Sequence, residues 1–454
     1  SAMAATPPTI MGLDDLPPAV LLRASFSTSL LPKHPVALIL ACRCPLVPLG
    51  TGSMAWRDMA RSGDAYKLRL KSVISNKKTF DFLCKITKIR LSLISERYLE
   101  ARMDRYLMAE LMRWKESRRR KPLILNGARQ VGKTWLMQEF GRTAFERCAY
   151  INFDRNERMR NLFSGDFDVD RILRGLAIES GVEIDPENTL IILDEIQEVP
   201  AALQSLKYFC EDNRHRYYIL AAGSLLGIAM HEGTSFPVGK VDSMELYPLS
   251  FTEFLSATGN EQLLALLEQR DFEMITAFRD KYIDLLRTYY YVGGMPAAVN
   301  AYLPKQNLAA VRRVQLRLIS DYEQDFSKHA PTAVIPRIRM VWDGIPSQLA
   351  KENKKFIYSV LREGARAKDF ELAIQWLIDC GLCCKVGRVT KGAVPLKAYQ
   401  DMPAFKLYLV DVGLLAAMTD LDAKTLLNGN AIFTEFKGAL TEQFVCQQLI
   451  SDLG

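Results

Sequence analysis

The sequence predicts an α/β fold: a parallel sheet wrapped by helices, then a helical stretch, then a smaller mixed C-terminal part. Three observations carry this reading. Five short apolar segments, at 122–125, 149–154, 190–194, 217–222 and 243–247, alternate with helical or loop stretches, the pattern of a parallel sheet. Leu190, Ile191, Ile192 and Leu193 form an unbroken apolar run, as a strand covered on both faces requires. After residue 251 the period becomes helical, and short strands return only within 335–415.

The chain has 454 residues, room for roughly two to four domains. Residues 1–98 carry 14 Lys/Arg and 6 Asp/Glu, a balance of +8, against +7 for the whole chain, so residues 99–454 sum to about −1. The near-neutral bulk argues against strong nonspecific nucleic-acid binding. Residues 1–100 are expected to be a basic extension, disordered or foreign to the native product, with ordered periodicity starting at Met103. No run of 18 apolar residues exists, so no spanning helix and no membrane partner are expected. The nine cysteines are scattered except for Cys380, Cys383 and Cys384, which lack a nearby histidine or second pair. They read as buried thiols in a reducing, cytoplasmic setting.

Along the chain, a helix is expected over 106–114. The basic run Arg118-Arg119-Arg120-Lys121 reads as a solvated loop before the first strand. That strand leads into "NGARQVGKTWL", where Gly127, four residues, then Gly132-Lys133-Thr134 give the G-x-x-x-x-G-K-[ST] spacing of a phosphate-binding loop. Glycines let the backbone fold tightly so that successive N–H groups point at an anion. The cradle is assigned to Gly127, Ala128, Arg129, Gln130, Val131, Gly132, Lys133, Thr134 and Trp135. Lys133 supplies a charge to the β- and γ-phosphates and Thr134 a hydroxyl to Mg²⁺. A helix from about Thr134 to Phe140 adds its positive end. The fold class thus sharpens to a P-loop NTPase sheet.

The third strand ends in Asp194-Glu195. Asp194 is expected to hold Mg²⁺, and Glu195 to polarise the attacking water. The fourth strand ends in "AAGS", where Ser224 would sense the γ-phosphate if this strand lies between the two motif strands; a helix N-cap is the plainer role. Lys240, just before the fifth strand, is a candidate cation for phosphate, in its own chain or a neighbouring copy, or plain surface charge. ATP is preferred to GTP, because no N-K-x-D follows the fourth strand. Helices are expected over 251–302, broken by "YYYVGGMPAAV", and again over 312–326. Within 335–415 the order of helices then strands suits a winged helix. Its lysines and arginines (Lys351, Lys354, Lys355, Arg362, Arg366, Lys368) read as a solvated face or a DNA contact.

These motifs together resemble bacterial AAA-type P-loop ATPases with a C-terminal DUF4143 domain. The carrying segments are "RYLMAEL", "ILNGARQVGKTWL", "YINFD", "LIILDEIQEVP", "LAAGSLL", "SFPVGKV", "LYPLSFTEFL", "GGMPAAV", "DYEQDFSKH", "WLIDCGL" and "FKLYLVDVGLL". The resemblance implies an ATPase core over 101–250, a helical subdomain over 251–330, a winged-helix-like part over 331–420 and the start of a nuclease-like module over 421–454. It implies that the Ser224 strand separates the motif strands, with Glu195 as catalytic base. Relatives carry arginine at Lys240, and lysine loses the planar fork. Glu442 alone cannot make a nuclease metal site, so no nuclease activity is expected, and the last helix is expected to pack poorly. The function implied is Mg²⁺-dependent ATP hydrolysis that moves the C-terminal part. The alternative is a nucleotide-gated module binding DNA or protein with little hydrolysis. Homo-oligomers and signalling partners stay open.

Overall fold

The computed structural model describes residues 103–453 apart from 213, 215, 225, 230–235, 352–354 and 429–433. The expectations for residues 1–100, and Lys354, lie outside the described residues. The sheet holds β1 (Leu123–Asn126), β2 (Arg147–Asn152), β3 (Thr189–Asp194), β4 (Tyr218–Ala222) and β5 (Asp242–Glu245). All pairs are parallel, in the order β2-β3-β4-β1-β5. Each of the five expected strands is present within two residues at either end, and β4 does separate the two motif strands.

Around the sheet run α1 (Leu107–Glu116), α2 (Lys133–Ala144), α3 (Glu157–Phe163), α4 (Val169–Ser180), α5 (Pro200–Glu211) and the short α6 (Leu226–Ala229). The central strands are covered on both faces, and the alternation of their side chains sorts the core into two layers. Leu123, Leu125, Leu190, Ile192, Leu220 and Ala222 face a cluster containing Leu111, Trp114, Leu136 and Phe140 of α1 and α2. Ile124, Ile191, Leu193, Ile219 and Ala221 face Ile172 and Leu176 of α4 with Leu203 and Leu206 of α5.

The helical stretch comprises α7 (Phe251–Ala257), α8 (Glu261–Gln269), α9 (Phe272–Ala277), α10 (Arg279–Val292), α11 (Pro296–Tyr302) and α12 (Leu308–His329). α7 starts with a capping box in which Ser250 and Glu253 satisfy each other's backbone N–H, which ends the sheet and starts the helices cleanly. The Gly293-Gly294 break is steric. Gly293 has φ 73°, and a Cβ there would sit 2.1 Å from Asp411 Oδ1; one on Gly294 would sit 2.1 Å from the Leu249 carbonyl oxygen.

The C-terminal part follows the expected order. Helices α13 (Ile335–Ala350) and α14 (Ala367–Asp379) precede an antiparallel pair, β6 (Cys383–Val389) and β7 (Gln400–Leu409). Then come α15 (Val412–Met418), α16 (Ala423–Asn428) and α17 (Thr434–Leu453). The expectation that the last helix packs poorly is corrected. Gln443 accepts from the Leu409 N–H (2.9 Å) and donates to its carbonyl (2.6 Å). Gln447 accepts from the Val412 N–H (2.9 Å), and Gln448 from the Phe251 N–H (2.7 Å). Amide side chains replace a strand partner here, because each offers a donor and an acceptor to exposed backbone.

Candidate functional site

The loop between β1 and α2 is built on three backbone positions of positive φ: Gly127 at 136°, Gln130 at 66° and Gly132 at 98°. A Cβ on Gly127 would lie 2.2 Å from the Leu246 carbonyl oxygen, so only glycine lets the chain turn against the strand beside it. Val131 is fully buried and anchors the loop. Its carbonyl accepts from Arg105 (3.1 Å), whose own Nε is paired with Glu253 at 3.1 Å. The N–H groups of Gln130 and Gly132 have no acceptor among the described residues. Converging backbone donors of this kind fit an anion such as a phosphate.

Lys133 opens α2 and is buried. Its Nζ donates to the carbonyls of Gly127 (2.7 Å) and Ala128 (2.9 Å). Burial pushes the ammonium down to about 8, against the pull of Glu195, Asp194 and Glu245. Thr134 Oγ1 donates to Asp194 Oδ2 at 2.8 Å. Tyr150, from the end of β2, donates to the same oxygen at 2.9 Å. Trp135 is partly exposed on the first turn of α2.

Glu195 follows β3 in the left-handed region, φ 54° and ψ 42°. The register sets Asp194 beside Ala222 of β4 and Ala222 beside Leu125 of β1, so the ends of β3, β4 and β1 meet at one edge. Ser224 reaches back along that edge. Its N–H and Oγ lie 3.3 and 3.2 Å from Glu195 Oε2. Gln197 donates to the same oxygen at 2.7 Å. A Cβ on Gly223 would meet the end of the Gln197 side chain.

Lys240 is not brought to this edge. It pairs with Glu211 at 2.9 Å, at the start of β5, whereas the end of β5 abuts Gly127. The four residues of β5 separate the two ends, roughly 13 Å, and Lys240 lies two residues further back. The expectation that Lys240 approaches phosphate in its own chain is corrected on that ground.

The hydroxyl–carboxylate pair of Thr134 and Asp194 fits Mg²⁺, which takes one or two hard protein oxygens and completes its shell with water and phosphate.

The model of the AAA domain family matches residues 119–255. The matched segment spans the sheet and every residue of the cradle. A domain of unknown function, DUF8612, matches residues 283–425; it is this family, and not DUF4143, that the C-terminal part matches. No curated protein matches the chain. Among solved structures the chain is similar to the Walker-type ATPase PABY2304 of Pyrococcus abyssi, with 14% identity, TM-score 0.43, and 70% of this chain and 96% of that one covered. It is also similar to the Aeropyrum pernix ORC1 protein in complex with DNA (14%, TM-score 0.27, 70% and 92%) and to Drosophila ORC bound to DNA (13%, 0.23, 72% and 86%).

Several residues around the AAA domain's loop escape a reading of the sequence. Tyr150, Gln197, Arg105, Tyr322 and Asp325 all touch the motif residues. Gln197 carried a signal, two positions after Glu195. Tyr322 and Asp325 carried none, because their partners lie almost 200 positions away. No helix among the described residues is long and apolar enough to cross a membrane.

Proposed function

We propose that the protein is a switch that binds and hydrolyses ATP, with the AAA domain passing its nucleotide state to the C-terminal part. The observation carrying this reading is that Lys133, the Thr134–Asp194 pair and the Glu195–Ser224 pair meet at the same edge of the sheet. Lys133 leaves its two loop carbonyls for the β- and γ-phosphates, an exchange of neutral acceptors for charged ones that favours the ammonium. Thr134 and Asp194 hold Mg²⁺, which when bound neutralises charge on the phosphates. Glu195 orients the attacking water, and Ser224, bonded to it, feels whether the γ-phosphate is present.

The link to the C-terminal part is steric. The turn after α14 lies against the loop, where a Cβ on Gly381 would sit 3.0 Å from the Ala128 nitrogen. The same turn meets α6, where a Cβ on Gly227 would sit 2.2 Å from the Asp379 carbonyl oxygen. A loop that changes shape with nucleotide therefore pushes on α14. The DNA or protein partner is assigned to helices α13 and α14 with strands β6 and β7, and any action of Lys240 to a neighbouring copy.

A second reading has its own observation. Glu195 Oε2 takes three donors, from Gln197 and Ser224, which hold the carboxylate back from water. A binding module with little hydrolysis follows if they never release it. Phosphate release by the full chain with Mg²⁺-ATP, with and without duplex DNA, tests both. Turnover lost in Lys133→Ala and Glu195→Gln supports the ATPase; tight ATP binding without turnover supports the gated module, and no ATP binding overturns both.

A further inference from the structure

Helix α12 lies outside the AAA domain, yet three of its side chains grip the phosphate loop. Tyr322 is fully buried, its ring edge-on to Trp342, and its hydroxyl donates to the Arg129 carbonyl at 2.8 Å. Asp325, mostly buried, takes the Arg129 guanidinium. Asp321 takes the Gln130 amide at 3.1 Å. The two loop residues gripped are those around the strained peptide, since Gln130 is the loop's non-glycine at positive φ.

Peptide geometry gives this grip a consequence. In a trans peptide the C=O of one residue and the N–H of the next point in opposite directions. Tyr322 draws the Arg129 carbonyl outward, which turns the Gln130 N–H to the other face of the loop. Arg105 does the same to the Val131 carbonyl from the α1 side, which turns the Gly132 N–H inward. Both freed N–H groups are among those without an acceptor. A non-glycine in the left-handed region relaxes unless its surroundings hold it, and here the holding groups come from α12.

We propose that Tyr322, Asp325 and Asp321 are positioning residues for the triphosphate: α12 holds the Arg129–Gln130 peptide in the one orientation that presents the Gln130 N–H to phosphate oxygen. The position of α12 and the affinity for ATP are then one coupled variable, and coupling runs both ways. A partner that shifts α12 weakens ATP binding, and bound ATP protects α12. This rests on the loop being a nucleotide site.

The test is ATP affinity in the full chain by calorimetry, with the melting temperature of each free variant recorded beside it. Tyr322→Phe keeps the ring and its packing and removes only the outward pull. The expected result is an ATP affinity about tenfold lower, the worth of one well-placed hydrogen bond, with the free protein melting within about 3 °C of wild type, a shift worth under about 1 kcal/mol in a domain this size. Asp325→Asn is expected to fall in the same direction and Asp325→Glu to recover part of it. Asp321→Asn, at the loop surface, keeps the measurement available should the buried variants fail to fold. Hydrogen exchange of residues 321–326 is expected to slow with ATP in wild type and less so in Tyr322→Phe. Unchanged affinity in the folded variants, with wild type binding ATP, overturns this proposal alone. A wild type that binds no ATP overturns it together with the nucleotide-site reading.

Discussion

Ser224 Oγ lies 3.2 Å from Glu195 Oε2, across the edge shared by β4 and β3. The hydroxyl and the Ser224 N–H both reach one carboxylate oxygen. Under the proposed function they fix the carboxylate that orients water, so the two residues have different and separable effects. Glu195→Gln keeps the shape and removes the base; turnover is expected to fall about 100-fold or more with ATP affinity within a factor of about three. Ser224→Ala keeps the base and the N–H and loses one hydrogen bond, so turnover is expected to fall about tenfold. Single-turnover phosphate release separates these from binding. A Ser224→Ala enzyme that turns over faster than wild type would show instead that the serine restrains Glu195.

Lys133 gives a pH signature. In the free protein its burial places proton loss near pH 8, below the ordinary lysine value of 10.5. Phosphate oxygens favour the ammonium, so bound ATP raises that value. Between the two values binding takes up a proton, and affinity falls as pH rises, by at most about tenfold per unit for one proton. Calorimetry between pH 7 and 9.5, in two buffers of different ionisation enthalpy, reads the proton directly, and Lys133→Ala is expected to abolish it. In the free protein the unfolded chain holds the proton over the same window. The fold therefore gains stability as pH climbs from about 8 toward 10.5, a gain that Lys133→Ala removes.

The strands and both motif ends were legible in the sequence because their signals are local. An apolar run such as 190–193 is buried on both faces wherever the sheet closes, and the spacing from Gly127 to Thr134 fixes a loop without help from distant residues. What surrounds the loop was not legible. Tyr322 and Asp325 meet Arg129 across 193 and 196 positions, and nothing in "DYEQDFSKH" marks those side chains as loop contacts. The last helix was expected to pack poorly, yet Gln443 and Gln447 are buried on backbone groups. Lys240 is a different case. A residue before a parallel strand lies at the opposite edge from loops that follow strands, so its distance from the cradle was readable from its place in the order.

Asp411 joins the helical stretch to the C-terminal part. It is fully buried and accepts from the N–H groups of Gly294 (2.6 Å) and Leu414 (3.1 Å) and from Gln447 (3.2 Å). Asp411→Ala leaves those donors unsatisfied and is expected to cost about 3 kcal/mol in denaturant unfolding. Asp411→Asn keeps an acceptor and is expected to cost less at pH 7. Burial raises the Asp411 carboxyl to about 6 from 3.8. Its folded state therefore holds a proton that the unfolded chain gives up between those values. That contribution is full below about 3.8 and is lost as pH rises through about 6. The stability difference between wild type and Asp411→Asn is thus expected to widen on acidification from pH 7 to 4. A difference that stays constant would show that the carboxyl titrates normally.

Gly381 carries the last prediction, because it is where the C-terminal part presses on the phosphate loop. Two constraints act on it at once. Its φ of 70° is one that side chains rarely adopt, and a Cβ would stand 3.0 Å from the Ala128 nitrogen and 3.4 Å from its Cα. Neither neighbour is a flexible side chain, so the loop itself has to move. Gly381→Ala is expected to cost about 1 to 2 kcal/mol from backbone strain alone, seen in the melting temperature without nucleotide. Gly364, also at positive φ (72°) but with nothing within 4 Å of a built Cβ, is the control that carries the strain without the contact. If the turn after α14 shapes the loop, Gly381→Ala loses ATP affinity beyond any change in Gly364→Ala. If the two variants bind ATP alike, the turn rests against the loop without shaping it. The path from nucleotide to the C-terminal part then runs through α12 or α6.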